Sequence, residues 1–174
     1  MAPRLIIVSL LFAAGTCAQV KTKLYTDPEG CIKTYDLAPG RVLTSKGLIE
    51  DPTVNAIMKD AVSAQMKSMK VAGAAKGADV EIRFMGGSGA GFQIDDLNVG
   101  DIAMWNIGGP QAVSSRTYKK SSLVIGVVDN RSKQTIWAGR YSDNFGDPNR
   151  IRERIQNGVT KVFAKFPKKF VCGS

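Results

Sequence analysis

Asp95, Asp96 and Asp101 form the densest group of carboxylates in the sequence, and they are the first candidates for chemistry. Carboxylates this close in the chain can bind a hard cation or act together as an acid and a base. The same stretch contains Asn98 and Gly100, which are typical of a solvated turn. We favour the turn, and we keep a metal-dependent hydrolase that uses the three aspartates as the less favoured alternative.

Histidine is absent from the 174 residues, and this excludes several classes of mechanism. Catalysis by Ser-His-Asp or Cys-His groups and most zinc sites need an imidazole. The glycine-rich stretch Gly86–Gly91 has neither the GxGxxG spacing nor the Gly-Lys-Ser/Thr sequence of a phosphate-binding loop, and it predicts a flexible hairpin loop. The sequence therefore supplies no catalytic residue, no cofactor site and no metal ligand that we favour.

Residues 1–18 predict a signal peptide. Arg4 precedes about ten apolar residues, Leu5–Ala14, whereas a membrane-spanning helix needs roughly 20. Cleavage after Ala18 would leave residues 19–174 as a single mature domain. We expect the protein to be exported to the periplasm or the extracellular space, and we find no membrane span in the mature chain.

Cys17 offers a second interpretation of the same segment, because Ala14–Cys17 resembles a lipoprotein cleavage site. Cys17 would then be lipidated and would anchor the protein to a membrane. Such sites usually have Leu three residues before the Cys and Gly or Ala directly before it, but here those positions hold Ala14 and Thr16. We favour ordinary cleavage.

Cys31 and Cys172 remain in the mature chain and lie near its two ends. In an oxidising compartment they can form one disulfide bond, and the alternative is two unpaired thiols. Their spacing gives no CxxC motif and hence no indication of a metal site.

The net charge is +9, from 24 basic and 15 acidic residues. Since an exported protein does not normally meet nucleic acid, this charge favours an anionic polymer or a lipid surface as the partner. The candidate contact residues lie on the last predicted helix and the tail that follows it: Arg150, Arg154, Lys161, Lys165, Lys168 and Lys169. The alternative is an ordinary solvated helix end.

The hydrophobic pattern predicts the elements that would position these side chains. Strands are expected over Val20–Thr26, Thr34–Leu37 and Ala78–Phe84, a hairpin over Ser122–Ser142, and a loop over Arg41–Ile49. Helices are expected after Asp51-Pro52 and Asp147-Pro148, which resemble N-caps followed by a proline in the first turn. The second helix has an apolar stripe: Ile151, Ile155, Val159, Val162, Phe163 and Phe166.

This order of elements predicts an α+β fold, with an antiparallel or mixed β-sheet and two amphipathic helices packed on one face. The other face of the sheet would be partly open. The methionines of the first helix are expected in the core rather than in a partner groove. Trp137 and Tyr118 are also expected in packing contacts rather than in stacking on a ligand.

Several short motifs between Val20 and Pro167 occur in the same order as similar motifs in one protein family. They are Val20-Lys21-Thr22, Lys33-Thr34-Tyr35, Asp51-Pro52, Ala78-Asp79-Val80, Thr117–Lys120, Leu123-Val124-Ile125, Val128-Asp129, Ile136–Gly139 and Ala164–Pro167. The chain resembles the domain of unknown function 4136 family of exported bacterial proteins, many of which are lipoproteins. The resemblance implies a fold and a compartment, and no site residues.

These observations favour a non-enzymatic cell-envelope protein that binds or scaffolds an anionic envelope component or a protein partner. A carrier that holds a small ligand between the sheet and the helices is the main alternative. The hydrolase at Asp95, Asp96 and Asp101 comes last.

Overall fold

A computed structural model describes residues 18–44, 47–74, 76–87, 93–94, 113–114, 120–144 and 148–173. The strands in these ranges are β1 (Gln19–Leu24), β2 (Thr34–Leu37), β3 (Arg41–Thr44), β4 (Gly47–Ile49), β5 (Ala72–Gly73), β6 (Val80–Gly87), β7 (Gln93–Ile94), β8 (Val113–Ser114), β9 (Lys120–Asp129) and β10 (Thr135–Asn144). The α-helices are α1 (Pro52–Ser68) and α2 (Ile151–Phe163). Short 3-10 helices cover Pro148–Arg150 and Lys168–Phe170.

The main sheet is mixed and has the strand order β1-β10-β9-β6-β2-β5. Its first four strands are antiparallel neighbours, whereas β2 runs parallel to both β6 and β5. β3 also pairs with β6 in parallel, and it forms a hairpin with β4. β7 and β8 form a separate pair. The α+β class and the mixed sheet predicted from the sequence are confirmed.

The two helices lie beside each other and pack on one face of the sheet, as predicted. Gln65 Nε2 donates to Thr160 Oγ1 at 3.2 Å across the helix pair. The buried side of α1 contains the methionines that were expected in the core, with Met58 and Met66 almost completely buried. Their cluster includes Ile125 of β9, which shows that the helices cover the main sheet.

The central strands are buried on both faces. The apolar residues on both sides of Leu123–Val128 predict this burial for β9, although the second face of the sheet as a whole was expected to be partly open. Ile125 and Val127 belong to the core under the helices. Val124 and Val128, which alternate with them along β9, are 1% and 2% exposed. Burial on both sides explains why β9 has an almost continuous apolar sequence.

The prediction of a loop over Arg41–Ile49 is wrong, because residues 41–44 and 47–49 form the β3–β4 hairpin. Val42 is buried and in register with Gly86 of β6. Residues 41–49 show no clear period in the sequence, so the partners of these strands rather than their pattern define them.

The second helix differs from its prediction at its start. Pro148–Arg150 forms a 3-10 helix and α2 begins only at Ile151, while Asp147 lies outside the described residues. Ile151 was assigned to the apolar stripe, but it is 41% exposed because it precedes the turns of α2 that reach the sheet. None of the helices in the described ranges is long and apolar enough to cross a membrane.

Candidate functional site

Several residues named in the sequence analysis lie outside the described residues. They are the signal segment 1–17 with Cys17, the aspartates Asp95, Asp96 and Asp101, residues 88–91 of the glycine-rich stretch, and Tyr118. Among the residues that are described, no three histidine, cysteine or acidic side chains lie close enough together to hold a metal ion.

Tyr141 of β10 lies beside two basic residues of α2, Arg154 and Lys161. The Lys161 Nζ atom lies 5.5 Å from the centroid of the Tyr141 ring. The Tyr141 hydroxyl donates to Asp143 Oδ2 at 2.9 Å. Burial, followed by this hydrogen bond and the charge of Asp143, raises the pKa of Tyr141 to about 12, and nearby Arg154 acts in the opposite direction. Arg154 and Lys161 therefore lie on the same side of the helix, over one tyrosine.

The helix reaches Tyr141 because residue 158 is a glycine. A Cβ atom at Gly158 would lie 2.8 Å from the Tyr141 ring, so any other residue would push the helix away. A glycine in the interior of a helix costs about 1 kcal/mol relative to alanine. Here it permits a close approach that positions Lys161.

Arg154 lies seven residues before Lys161 in α2. Lys165 lies four residues after Lys161, in the turn that follows α2. These spacings correspond to one and two helical turns. We call Arg154, Lys161 and Lys165 the cationic row. Arg154 is half-buried, while Lys161 and Lys165 are exposed.

The other three predicted contact residues do not extend this row. Arg150 forms an ion pair with Glu153 within α2, with 2.6 Å between Nη2 and Oε1. Lys169 pairs with Asp27 Oδ1 at 2.9 Å, in the segment between β1 and β2. Lys168 is exposed in the 3-10 helix at the C-terminal end.

Two further cations were missed in the sequence. Lys21 and Lys23 lie on β1, an edge strand of the main sheet in the described part of the chain, and both are exposed. Val20 is in register with Tyr141, which faces α2, so Lys21 and Lys23 point to the other face. The alternation in Val20–Leu24 predicts that Lys21 and Lys23 share one face of a strand. Only the pairing of β1 with β10 shows that this strand lies near the cationic row.

Cys31 and Cys172 are joined by a disulfide bond, with their Cα atoms 5.0 Å apart. The surrounding backbone is also paired, because Ile32 donates to Phe170 O at 2.7 Å and accepts from Cys172 N at 3.1 Å. The tail that carries Lys168 and Lys169 is therefore tied to the start of the domain.

Trp137 belongs to the core rather than to a ligand site, as predicted. It is 1% exposed, and its ring lies edge-on to Phe166 with the centroids 5.2 Å apart. Phe166 in turn contacts Phe170 at 5.9 Å, so these rings connect the hairpin with the C-terminal turn.

The described fold has known relatives. It is similar to a DUF4136 family protein from Bacteroides thetaiotaomicron, with 17% identity, a TM-score of 0.56, and coverage of 87% of this chain and 96% of that chain. It is also similar to a PelC dodecamer from Paraburkholderia phytofirmans that carries a single substitution, with 6% identity, a TM-score of 0.52, and coverage of 88% and 99%. A PDZ domain protein from Parabacteroides distasonis matches with 10% identity and a TM-score of 0.56, over 86% of this chain and 35% of that one.

At these levels of identity, the structural similarities establish the fold alone. No curated protein matches the sequence. The family described as Domain of unknown function (DUF4136), in contrast, matches residues 29–168, which is most of the chain. The matched range contains the cationic row and all of the strands from β2 to β10. The chain therefore belongs to the DUF4136 family.

Proposed function

We propose that this DUF4136 protein is an exported, non-enzymatic module of the cell envelope that binds an anionic envelope component through the cationic row. The observation that carries the proposal is that Arg154 and Lys161 lie on one side of α2 near Tyr141, with Lys165 in the turn directly after the helix. Residues seven apart in a helix lie on the same side, so these cations can act together on one anionic surface.

The edge strand supports this assignment. Lys21 and Lys23 of β1 lie on the opposite face of the sheet from α2, so cations flank the β1 edge on both sides. An extended anionic polymer or a layer of lipid headgroups would meet positive charge on either side of this edge. Protein interactions with such partners weaken in salt, because charges are screened over about 8 Å at physiological ionic strength.

The apolar segment Leu5–Ala14 and the bond between Cys31 and Cys172 support export to the periplasm or the extracellular space. Disulfide bonds persist in oxidising compartments and are rare in the cytosol. Lipidation at Cys17 would add a membrane anchor to the same module.

The PelC structure supports the scaffolding part of the proposal, because it is a dodecamer of chains with this fold. A module that associates with copies of itself would present many cationic rows to one surface. Light scattering on the purified protein measures its mass, and a monomer at all concentrations would remove this part of the proposal.

Co-sedimentation with lipid vesicles tests the anionic partner. We expect the protein to sediment with vesicles that contain phosphatidylglycerol, to be released by added salt, and to stay in solution with vesicles of phosphatidylcholine alone. The variant Lys161→Gln/Lys165→Gln should bind more weakly, because it removes two charges of the row.

The matched control is Lys67→Gln/Lys76→Gln, which removes two exposed cations elsewhere on the surface. It changes the net charge equally, so it separates the position of the charges from their number. An equal loss of vesicle binding in both variants would contradict a specific role for the cationic row. Vesicle binding that does not change with salt would contradict the proposal as a whole.

A further inference from the structure

A groove of about 490 Å³ opens between the end of β2 and α1, on the side of the molecule away from β1. Its apolar walls include Tyr35, Leu37, Pro39, Ala56 and Phe84. Binding pockets for small molecules typically have volumes of roughly 300–1,000 Å³ and mostly apolar walls. The groove lies far along the sheet from the cationic row, so it requires an explanation of its own.

An interruption in the sheet creates the groove. β2 and β3 both pair with β6 in parallel, with Leu37 in register with Ile82 and Arg41 with Met85. Between them, residues 38–40 leave the regular strand path.

Two contacts fix this interruption in place. Gly40 N donates to Asn55 Oδ1 of α1 at 3.0 Å. A Cβ atom at Gly40 would lie 2.1 Å from the Phe84 ring, so only glycine leaves room for that ring. Residues 38–40, which border the groove, are therefore fixed by a hydrogen bond to α1 and by packing against Phe84.

The adjoining sheet edge is poorly suited to an added peptide strand. β5 ends at Gly73, and the last bond of this pair runs from Ala74 N to Tyr35 O at 2.8 Å. The next outward amide, that of Leu37, already donates to its neighbour Asp36 Oδ1 at 2.8 Å, and Pro39 has no N–H. Strand addition needs backbone donors as well as acceptors. The groove therefore fits a small molecule better than an extended chain.

The polar groups of the groove indicate the chemistry of that molecule. The Tyr35 hydroxyl donates to Ser63 Oγ at 2.9 Å, which holds the aromatic wall in position. Lys59 is exposed and is the only cation among the described lining residues, while the one lining carboxylate, Asp36, accepts from the Leu37 amide. None of the ion pairs between described residues uses Lys59.

We propose that this groove binds a small amphipathic molecule that has an apolar body and one anionic group, either a carboxylate or a phosphate. The body packs between Tyr35, Leu37 and Phe84, and the anionic group pairs with Lys59. Because an exposed ion pair contributes little by itself, the apolar walls supply most of the affinity and Lys59 sets the orientation.

Titration of the folded, disulfide-bonded protein with 8-anilinonaphthalene-1-sulfonate tests this proposal, since the probe is an aromatic anion with environment-sensitive fluorescence. We expect saturable binding of one probe per chain. Ala56→Trp places a large side chain in the mouth of the groove and should abolish binding. Lys59→Met should weaken it by about threefold to fivefold. The control Lys67→Met removes an exposed cation two turns further along α1 and should bind as the unaltered protein does.

Displacement of the probe by phenylacetate or by phenyl phosphate then shows whether the anionic group is a carboxylate or a phosphate. Amide chemical shifts of the unaltered protein locate the probe without any substitution, so a folding defect in Ala56→Trp does not block the test. Shifts confined to residues 35–40 and 55–63 would support the groove. Unchanged binding in Ala56→Trp, shifts elsewhere, or displacement by neither competitor would overturn it.

Discussion

Asp79 joins segments that are distant in the sequence. Its carboxylate accepts from the backbone N–H groups of Lys33 and Thr34 at 2.9 and 3.0 Å, and from the Thr34 hydroxyl at 3.1 Å. Arg131, in the turn between β9 and β10, lies 3.0 Å away. Burial alone would raise the pKa of Asp79, but the hydrogen bonds and the Arg131 charge together lower it below its ordinary value. The ionised carboxylate therefore stabilises the junction between β2, β6 and the β9–β10 hairpin.

Asp79→Asn should lower the free energy of unfolding at neutral pH by about 1–3 kcal/mol, because it replaces a charged acceptor of several hydrogen bonds. The folded pKa lies below the unfolded one, so the stabilisation is present above the ordinary carboxyl pKa and is lost as the pH falls through the folded value. Urea unfolding at neutral pH and at a series of acidic pH values measures this, and the difference between the two proteins should shrink as the pH falls below the ordinary carboxyl pKa.

Asp60→Asn is the matched control for this experiment. Asp60 lies 3.5 Å from Arg152, and both side chains are largely exposed, so the substitution should change stability little at either pH. A difference between Asp79→Asn and the unaltered protein that is equally large in acid would show that ionisation of Asp79 is not the cause. The sequence contains no signal for this network, because Asp79 and Thr34 are 45 residues apart and no local pattern links them.

The two helices begin differently, although each follows an Asp-Pro pair in the sequence. Asp51 Oδ1 accepts from Thr53 N and Val54 N at 2.9 and 3.1 Å, which satisfies two backbone donors of the first turn of α1. α2 begins after a 3-10 helix, and its N-cap residue, Arg150, makes no side-chain cap bond. The Asp-Pro pattern therefore predicted the start of α1 and placed that of α2 three residues too early.

Asp51→Ala should destabilise the protein by about 1 kcal/mol, because it removes the acceptor for two amides of α1. The control is Arg150→Ala at the N-cap of α2, where no side-chain cap bond exists and the pair with Glu153 is exposed, so little change is expected. Denaturant midpoints of the two variants give the comparison. If Arg150→Ala costs as much as Asp51→Ala, capping does not explain the effect.

Other elements show why prediction succeeded in some places and failed in others. β2 was predicted with its observed ends, Thr34–Leu37, because the following Pro39-Gly40 marks where this short strand closes. The hairpin of β3 and β4 was missed because residues 41–49 show no clear period. A ligand space between the sheet and the helices was considered, but its position and lining could not be predicted, since they depend on how β2 and β3 share β6 as a partner.

At the scale of the whole molecule, composition predicted a basic protein but could not show where the charge acts. The cationic row depends on the close packing of Gly158 against Tyr141, and the contribution of Lys21 depends on the register between β1 and β10. The helical spacing of Arg154, Lys161 and Lys165 was visible in the sequence. Their relation to the edge strand was not, because it arises from tertiary pairing.

The bond between Cys31 and Cys172 closes a loop over most of the chain, since the two residues are 141 positions apart. In the chain-entropy description, a crosslink over a loop of this length restricts the unfolded chain and stabilises the fold by about 5 kcal/mol. The backbone bonds of Ile32 to the C-terminal segment are independent of the sulfur atoms. Removing the crosslink should therefore lower stability without rearranging the fold.

Cys31→Ser/Cys172→Ser should accordingly keep the far-UV circular dichroism of the unaltered protein and lose about 5 kcal/mol in urea unfolding. Reduction of the unaltered protein should produce the same loss of stability and a mass increase of two hydrogens, whereas the reducing agent should change neither the stability nor the mass of the double variant. An unchanged urea midpoint after reduction would contradict the prediction. Since the backbone bonds of Ile32 with Phe170 and Cys172 tie the two segments together without the sulfur atoms, a loss of stability with an unchanged spectrum would locate the effect in the unfolded state, where a crosslink between the two segments has most to restrict.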